Sequence, residues 1–230
     1  MLILALDSTA VAASVALTED DRPLAAFQLE NGHTHSRTLL PMVKAILDVT
    51  GHTVDDVDLF ACSIGPGSFT GVRIGAATVK GLAFGKNKNV LGISTLEALA
   101  ENLMPYNGLI CPVMNARRDQ VYTALLRGEG GVLTRLTPDA ALSVEELERM
   151  LTERSEPFCL VGDGTELVAG ALKTLTPQPT PALLKAENAV SVARLACRAA
   201  KAGAFGTDAD LKPLYLRIPQ AERERLKKQQ

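Results

Sequence analysis

The sequence predicts an α/β fold built twice over, as two lobes of order βββαβαβα with mixed sheets flanked by helices. Three observations support this. Short apolar runs bounded by turn residues alternate with longer stretches whose apolar residues recur at helical spacing. The same order of elements returns in the second half, without sequence identity to the first. A turn-rich break at Met104-Pro105-Tyr106-Asn107-Gly108 divides the halves. Residues 1–104 form the expected first lobe and 105–205 the second, with 206–230 a C-terminal tail packing back on the first. Paired lobes of this kind leave a cleft between them.

The elements follow in order. "LILALDSTAVAASVALTEDDRPLAAFQLE" reads as three strands separated by polar turns at Asp7-Ser8-Thr9 and Glu19-Asp20-Asp21. In "THSRTLLPMVKAILDVTG", Leu39, Leu40, Val43, Ile46 and Leu47 keep helical spacing, and Gly51 is a natural stop. Pro41 is harmless in a first turn and kinks the helix anywhere later. "VDLFACSI" is a buried strand, and a helix over 68–85 opens at Ser68. "NVLGIS" is the fifth strand, and "STLEALAENL" is a helix capped by Ser94 or Thr95.

In the second half, "LICPVMNA", "QVYTALLR" and "GVLTRLT" are three strands. "SVEELERMLTE" opens with the Ser-x-x-Glu capping pattern at Ser143 and Glu146. "PFCLVG" is a strand, "TELVAGALKTL" a helix, "TPALLK" a weak strand and "VSVARLACRAAKAG" the last helix, ending at Gly203. The tail "ERERLKKQQ" reads as a solvated, frayed end.

Composition excludes several classes of function. With 230 residues, 47% hydrophobic and 22% charged, the chain can bury two cores and is not disordered. A net charge of −2 gives no bulk attraction to nucleic acid or anionic lipid, so any nucleic-acid contact would be local or through a partner. Four cysteines without paired spacing argue against a Cys-based metal site or a disulfide framework. The opening "MLILAL" is too short for a signal h-region or a membrane span. A cytoplasmic location is expected, with no membrane contact.

The most glycine-dense stretch is "SIGPGSFTGVRIG", with four glycines in the eleven residues from Gly65 to Gly75. It fails each phosphate-binding pattern. No lysine follows Gly71, so it is no P-loop, and Thr70 stands where a dinucleotide fingerprint needs its third glycine. Ser68 is flanked by Pro66 and Thr70 rather than by the two glycines of a hydrolase elbow.

Gly71, Gly75 and Thr78 line one helix face. A helical glycine costs about 1 kcal/mol relative to alanine, so the stripe needs an offsetting close approach. Its neighbour is either the chain's own sheet or another subunit. Asp7 and Thr9 lie at the tip between the first two strands. In phosphotransferases of the duplicated RNase H-like fold an aspartate there handles a magnesium–nucleotide complex; the alternative is a simple turn. His33 and His35 read as a polar lead-in to a helix, and the cysteines as small core residues.

"LALDSTAVAASVAL", "HTHSRTLLPMVKAIL", "GPGSFTGVRIGAATVKGLAFG" and "LGISTLEALA" together resemble the bacterial TsaB (YeaZ) family. "NARRDQVYTALL", "LVGDGT" and "KPLYLR" extend the likeness through the second half. One departure is Asn115, where the family pattern usually has aspartate.

The resemblance implies the duplicated actin-like (ASKHA) fold and a role in making N6-threonylcarbamoyladenosine at adenosine 37 of ANN-decoding tRNAs. It implies pairing with the catalytic paralogue TsaD, with the ATPase TsaE joining through that complex and tRNA reached only indirectly. It implies no cofactor. The paralogue's metal-binding "VHHMEGH" stretch falls on residues 93–99, where Thr95 and Leu99 occupy the ligand positions; neither replaces imidazole, and only Glu97 persists. The paralogue's "SGGHT" loop has no counterpart.

The leading expectation is therefore a non-catalytic scaffold and activator subunit without a metal. Helices 36–50 and 68–85 form its partner face in this reading, and the same face can self-associate into a homodimer. Leu39, Met42, Val43, Gly71, Val72, Gly75 and Val79 are expected to pack there, and Arg37 and Arg73 to make charged contacts. Gly75→Leu is expected to block the complex while leaving the monomer folded. Asp7, Thr9, Gly65 and Gly67 are the vestigial nucleotide-site positions. The alternative is a stand-alone actin-like ATPase or small-molecule kinase using those same residues. A peptidase, the older label of the superfamily, lacks both an H-x-x-x-H pair and a serine elbow here.

Overall fold

A computed structural model describes residues 1–117 and 119–217. The first sheet has the order β3-β2-β1-β4-β5. It comprises β1 (Leu2–Asp7), β2 (Ala13–Glu19), β3 (Arg22–Leu29), β4 (Leu59–Ser63) and β5 (Asn89–Ile93). β2 runs antiparallel to β1 and to β3, whereas β1, β4 and β5 are parallel to one another. Alternation along β1 separates the two faces: Leu4 and Leu6 point to one core, Ile3 and Ala5 to another.

Helices α1 (His35–Thr50) and α2 (Phe69–Ala83) cover the Leu4–Leu6 face. Helix α1 ends at Gly51 in the left-handed region at φ 69°, the stop its sequence predicts. Pro41 sits in its second turn on the exposed side, past the first turn that would hold it without cost. Ser68 caps α2 by accepting from Gly71 N–H, and Ser94 caps α3 (Thr95–Glu101) by accepting from Glu97 N–H.

The second sheet is built on β6 (Gly108–Asn115). β7 (Gln120–Thr123) and β8 (Leu126–Glu129) pair antiparallel with its two ends in one unbroken register, from Asn115↔Val121 to Gly108↔Gly128. "QVYTALLR" is thus one strand interrupted at Ala124-Leu125. Only Val132–Arg135 (β9) of the expected third strand pairs there. Its ladder resumes along β7 as β10 (Ala140–Ser143), which the Thr137-Pro138-Asp139 turn signal hides in the sequence. Between them the Leu125 carbonyl accepts from both Leu136 and Thr137 N–H. Helix α4 (Val144–Arg154) follows, and its Ser143–Glu146 capping box forms as the sequence predicts.

β11 (Phe158–Val161) pairs parallel with β6, and α5 (Thr165–Ala171) follows. Here the second lobe departs from the first. The expected strand "TPALLK" is a single 3₁₀ turn at Ala182–Leu184, and beside β11 only the bridge Cys159↔Gln178 remains. Pro177, Pro179 and Pro181 remove alternate N–H donors around Gln178, so no ladder can form.

The halves exchange their last helices. α6 (Ala189–Lys201) lies on the first sheet, against Ile3, Ala5, Ala16, Leu59 and Ala61. Its buried side is mostly small (Ala189, Ala193, Ala196, Ala200), which lets it approach the strands closely. In return α3 sends Leu96, Leu99 and Ala100 into the core above the second sheet. Burying α6's Val192 and Leu195 contributes about 1.5–3 kcal/mol each. Arg198 on α6 donates to the buried Glu101 of α3, and Asn102 donates to the carbonyls of Leu184 and Ala186 at 2.9 and 2.8 Å. The two lobes are therefore tied through their helices as well as through the chain.

From Gly206 the chain returns to the first sheet. Val90 N–H donates to the Gly206 carbonyl at 2.9 Å, and Leu211 is buried in the first-lobe core. The basic stretch "ERERLKKQQ" lies outside the described residues. Among the described residues no helix is long and apolar enough to cross a membrane.

Candidate functional site

A cavity of about 530 Å³ opens between the lobes. Its walls come from the β1–β2 turn (Thr9 to Val11), the Pro66–Thr70 loop and the end of β6 (Met114 to Arg117). Asp163 and residues 214–217 complete them. These are the ends of the central strands of both sheets, where open α/β folds place ligands.

Asp7, at the end of β1, is 1% exposed. Its carboxylate accepts from Thr9 N–H at 2.9 Å, from Thr9 Oγ1 at 2.7 Å and from Ser63 Oγ. Burial raises its pKa above the ordinary aspartate value, against the opposing pull of those hydrogen bonds. An aspartate so enclosed forms and fixes the β1–β2 turn. Thr9, the second vestigial position, is itself fully buried and serves as Asp7's partner.

The glycine loop is likewise engaged with its own chain. Ser68 N–H, a donor an anion would need at the start of α2, bonds the Thr9 carbonyl at 2.7 Å. The Gly65 carbonyl accepts from Thr95 N–H at 2.9 Å. Gly65 has φ +114°, and a Cβ there would lie 2.4 Å from the Leu214 carbonyl oxygen. A Cβ on Gly67 would lie 2.5 Å from the Thr9 carbonyl oxygen. Glycine is required at both because backbone crosses backbone.

Opposite, Asp163 Oδ1 accepts from Asn115 N–H at 3.0 Å, and Asn115 Oδ1 accepts from Arg117 N–H at 2.8 Å. Arg117 follows at φ +61°. Asn115 thus forms a side-chain-closed turn, a task aspartate performs equally well.

The residues expected to pack against a partner are placed differently. Leu39, Met42, Val43 and Val79 are buried in the chain's own first-lobe core and Val72 is buried too, so none of them forms part of the outward surface. Gly71 and Gly75 face the β1–β2 turn: a Cβ on them would meet the Ser8 carbonyl oxygen at 1.9 Å and Ser8 Oγ at 2.7 Å. The close approach that offsets their cost is therefore internal. Gly75→Leu would force the β1–β2 turn away, so a folded monomer is not its expected outcome.

Arg73 is engaged too. Its guanidinium lies 3.7 Å over the Phe69 ring, and its Nε donates to Tyr215 Oη at 2.8 Å. Arg37 alone of the nine is exposed without a side-chain hydrogen bond or ion pair among the described residues. The outward stripes are Arg37, Leu40, Pro41 and Lys44 on α1, and Thr70, Arg73, Ala77 and Gly81 on α2. Gly81 is the one α2 glycine whose Cβ would meet open space.

Thr95 and Leu99 are both fully buried, Leu99 in the core over the second sheet. Among the described residues no group of three or more His, Cys, Asp or Glu side chains is arranged to hold a metal ion. Sequence reasoning missed two features. The Phe69–Arg73 stack was legible as an aromatic and a cation at i, i+4, but its third member, Tyr215, is 142 residues away. Glu187 is 3% exposed with Oε1 unpartnered among the described residues, and its burial beside Asp7 has no local sequence signal.

The profile of the TsaD family, described as tRNA N6-adenosine threonylcarbamoyltransferase, matches residues 30–222. A curated relative from Bacillus subtilis, named tRNA threonylcarbamoyladenosine biosynthesis protein TsaB, is 34% identical over 167 residues, covering 73% of each chain. The Escherichia coli protein of the same name is 36% identical over 167 residues, covering 71% of this chain and 72% of that one. The chain belongs to the TsaB family. It does so within the wider family that the TsaD profile describes, and TsaB proteins act in the biosynthesis of tRNA threonylcarbamoyladenosine. A solved structure from Pseudomonas aeruginosa, described as similar to the peptidase YeaZ, superposes with a TM-score of 0.82 at 29% identity. It covers 94% of this chain and 99% of that one, so the duplicated actin-like fold is common to both.

Proposed function

We propose that this TsaB chain is a non-catalytic subunit that docks on and activates a TsaD-type threonylcarbamoyltransferase acting on tRNA. Family membership supports the pathway. The observation that carries the non-catalytic half is the state of Asp7: buried, and bonded three times over by its own chain. Two buried non-ligands, Thr95 and Leu99, at the positions of the paralogue's histidines support the same reading.

The docking surface is the outer face of α1 and α2. Its occupants on this chain are the exposed residues Arg37, Leu40, Pro41, Ala77 and Gly81 rather than the buried row beneath them. Leu40 is 53% exposed, an apolar side chain suited to the centre of such a contact. Ala77 and Gly81, one turn apart on α2, leave room beside it for a neighbouring helix. An ATPase of the TsaE type joins through the complex, tRNA is reached through it, and the same face self-associates when the partner is absent. The site of action is the cytoplasm.

Reconstituting tRNA threonylcarbamoylation from the purified components, with and without this chain, tests the reading. Loss of modification on omission is the expected result; unchanged modification sinks it. Magnesium-dependent ATP turnover by the isolated chain would instead favour the kinase-like alternative.

A further inference from the structure

The C-terminal segment does more than cover an edge. Its root is fixed: Leu211 is 4% exposed in the first-lobe core, and Asp210 accepts from both Thr207 N–H and Thr207 Oγ1. Beyond the root the chain rises to the surface, with Leu214 and Tyr215 36% and 39% exposed. It then crosses the mouth of the inter-lobe cavity, which residues 214–217 line.

Each side of the cleft holds one end. On the first lobe, Leu214 N–H donates to the Ile64 carbonyl at 2.7 Å. The Tyr215 ring lies 4.8 Å from that of Phe69, centroid to centroid, and Tyr215 Oη accepts from Arg73 Nε. On the second lobe, Arg217 Nη1 donates to the carbonyls of Ala116 and Arg117 at 2.5 and 3.3 Å. The short run from Leu214 to Arg217 thus spans from Ile64 to Ala116, two positions on opposite lobes.

We propose that residues 211–217 are a strap that latches the two lobes and caps the cleft between them. The cleft opens only when the strap lifts. Leu214 lies with its carbonyl against Gly65, so the strap's own backbone fills the space beside the glycine loop. The contacts suit a reversible latch. Most are a ring stack, a cation over a ring and hydrogen bonds to backbone carbonyls at partly exposed positions, while the buried Leu211 keeps the strap attached when its outer part releases.

Hydrogen exchange of the full chain tests this. Arg217→Ala severs the second-lobe end, and Tyr215→Phe removes only the bond to Arg73 and keeps the ring. Arg217→Ala is expected to speed exchange by about ten-fold or more in peptides covering 64–70 and 113–117, with those covering β1, β2 and α6 unchanged. Tyr215→Phe is expected to have a smaller effect, confined to the first-lobe side. Exchange within about two-fold of the wild type at both sites in Arg217→Ala would overturn the latch. So would a uniform rise over the whole chain, which marks general destabilisation rather than opening. Neither outcome depends on the proposed role in tRNA modification.

Discussion

Ser8 and Gly71 are in direct backbone contact. Ser8 Oγ donates to the Gly71 carbonyl at 2.9 Å, and a Cβ on Gly71 would lie 1.9 Å from the Ser8 carbonyl oxygen. The small-residue stripe on α2 therefore exists to admit the turn between β1 and β2. The same turn carries Asp7 and Thr9, so the glycines of α2 and the first wall of the cleft form one unit.

Gly71→Ala should destabilise the fold by about 1–3 kcal/mol, because the Ser8 backbone against the new methyl group must move. Gly81→Ala, facing open space, should instead be neutral or stabilising, since alanine is the better helix former. Urea titration of the two variants measures the difference. Equal midpoints would show that the Ser8 contact yields without cost.

Docking through the outer α1–α2 face predicts that Leu40→Asp and Ala77→Arg each weaken binding to the transferase by about ten-fold or more, with little change in thermal midpoint. Both side chains are exposed, so the fold has no stake in them. Calorimetric titration of the partner reads the affinity. Wild-type affinity in both variants would move the interface elsewhere.

Asp7→Ala should cost about 1–3 kcal/mol of stability, since it strands the buried Ser63 hydroxyl and the Thr9 amide. Below the melting range, the reconstituted modification rate per folded molecule should stay within about two-fold of the wild type. A collapse of the rate with the fold intact would return Asp7 to the chemistry.

Glu187 gives a pH signature. Burial, with the charge of Asp7 second, raises its pKa well above the ordinary glutamate value. Between the unfolded value of about 4.3 and the raised folded value, the native state holds a proton that the unfolded chain has lost. Stability therefore falls as pH rises through that window. Glu187→Gln removes this dependence, so its stability advantage over the wild type should grow from about pH 4 toward neutrality in denaturant titrations at stepped pH. A constant difference across the range would show that Glu187 does not titrate in this way.

Local pattern was enough for the order of elements in the first lobe, because strands and helices there follow apolar period and caps: Gly51, Ser68 and, in the second lobe, the Ser143–Glu146 box act where the sequence places them, and Ser94 rather than Thr95 caps α3. It failed at the second-lobe fifth strand, where an apolar run outweighed the prolines in and just ahead of it. The candidate site was half legible. Of Asp7, Thr9, Gly65 and Gly67, Thr9 and Gly67 line the cleft, yet the bonding of this group is set by Ser63, Thr95 and Leu214, which lie far along the chain.

By itself, then, the sequence determined the duplicated α/β plan, the family and the loss of imidazole at two ligand positions, since each depends only on which residues follow which. The tertiary structure alone decided which faces are free. An amphipathic helix shows its apolar side but not what covers it, so Leu39, Val43, Val72 and Val79 read equally well as core or interface. Only the packed sheet beneath them, and the Ser8 turn against Gly71, assign them inward and leave Leu40, Ala77 and Gly81 exposed.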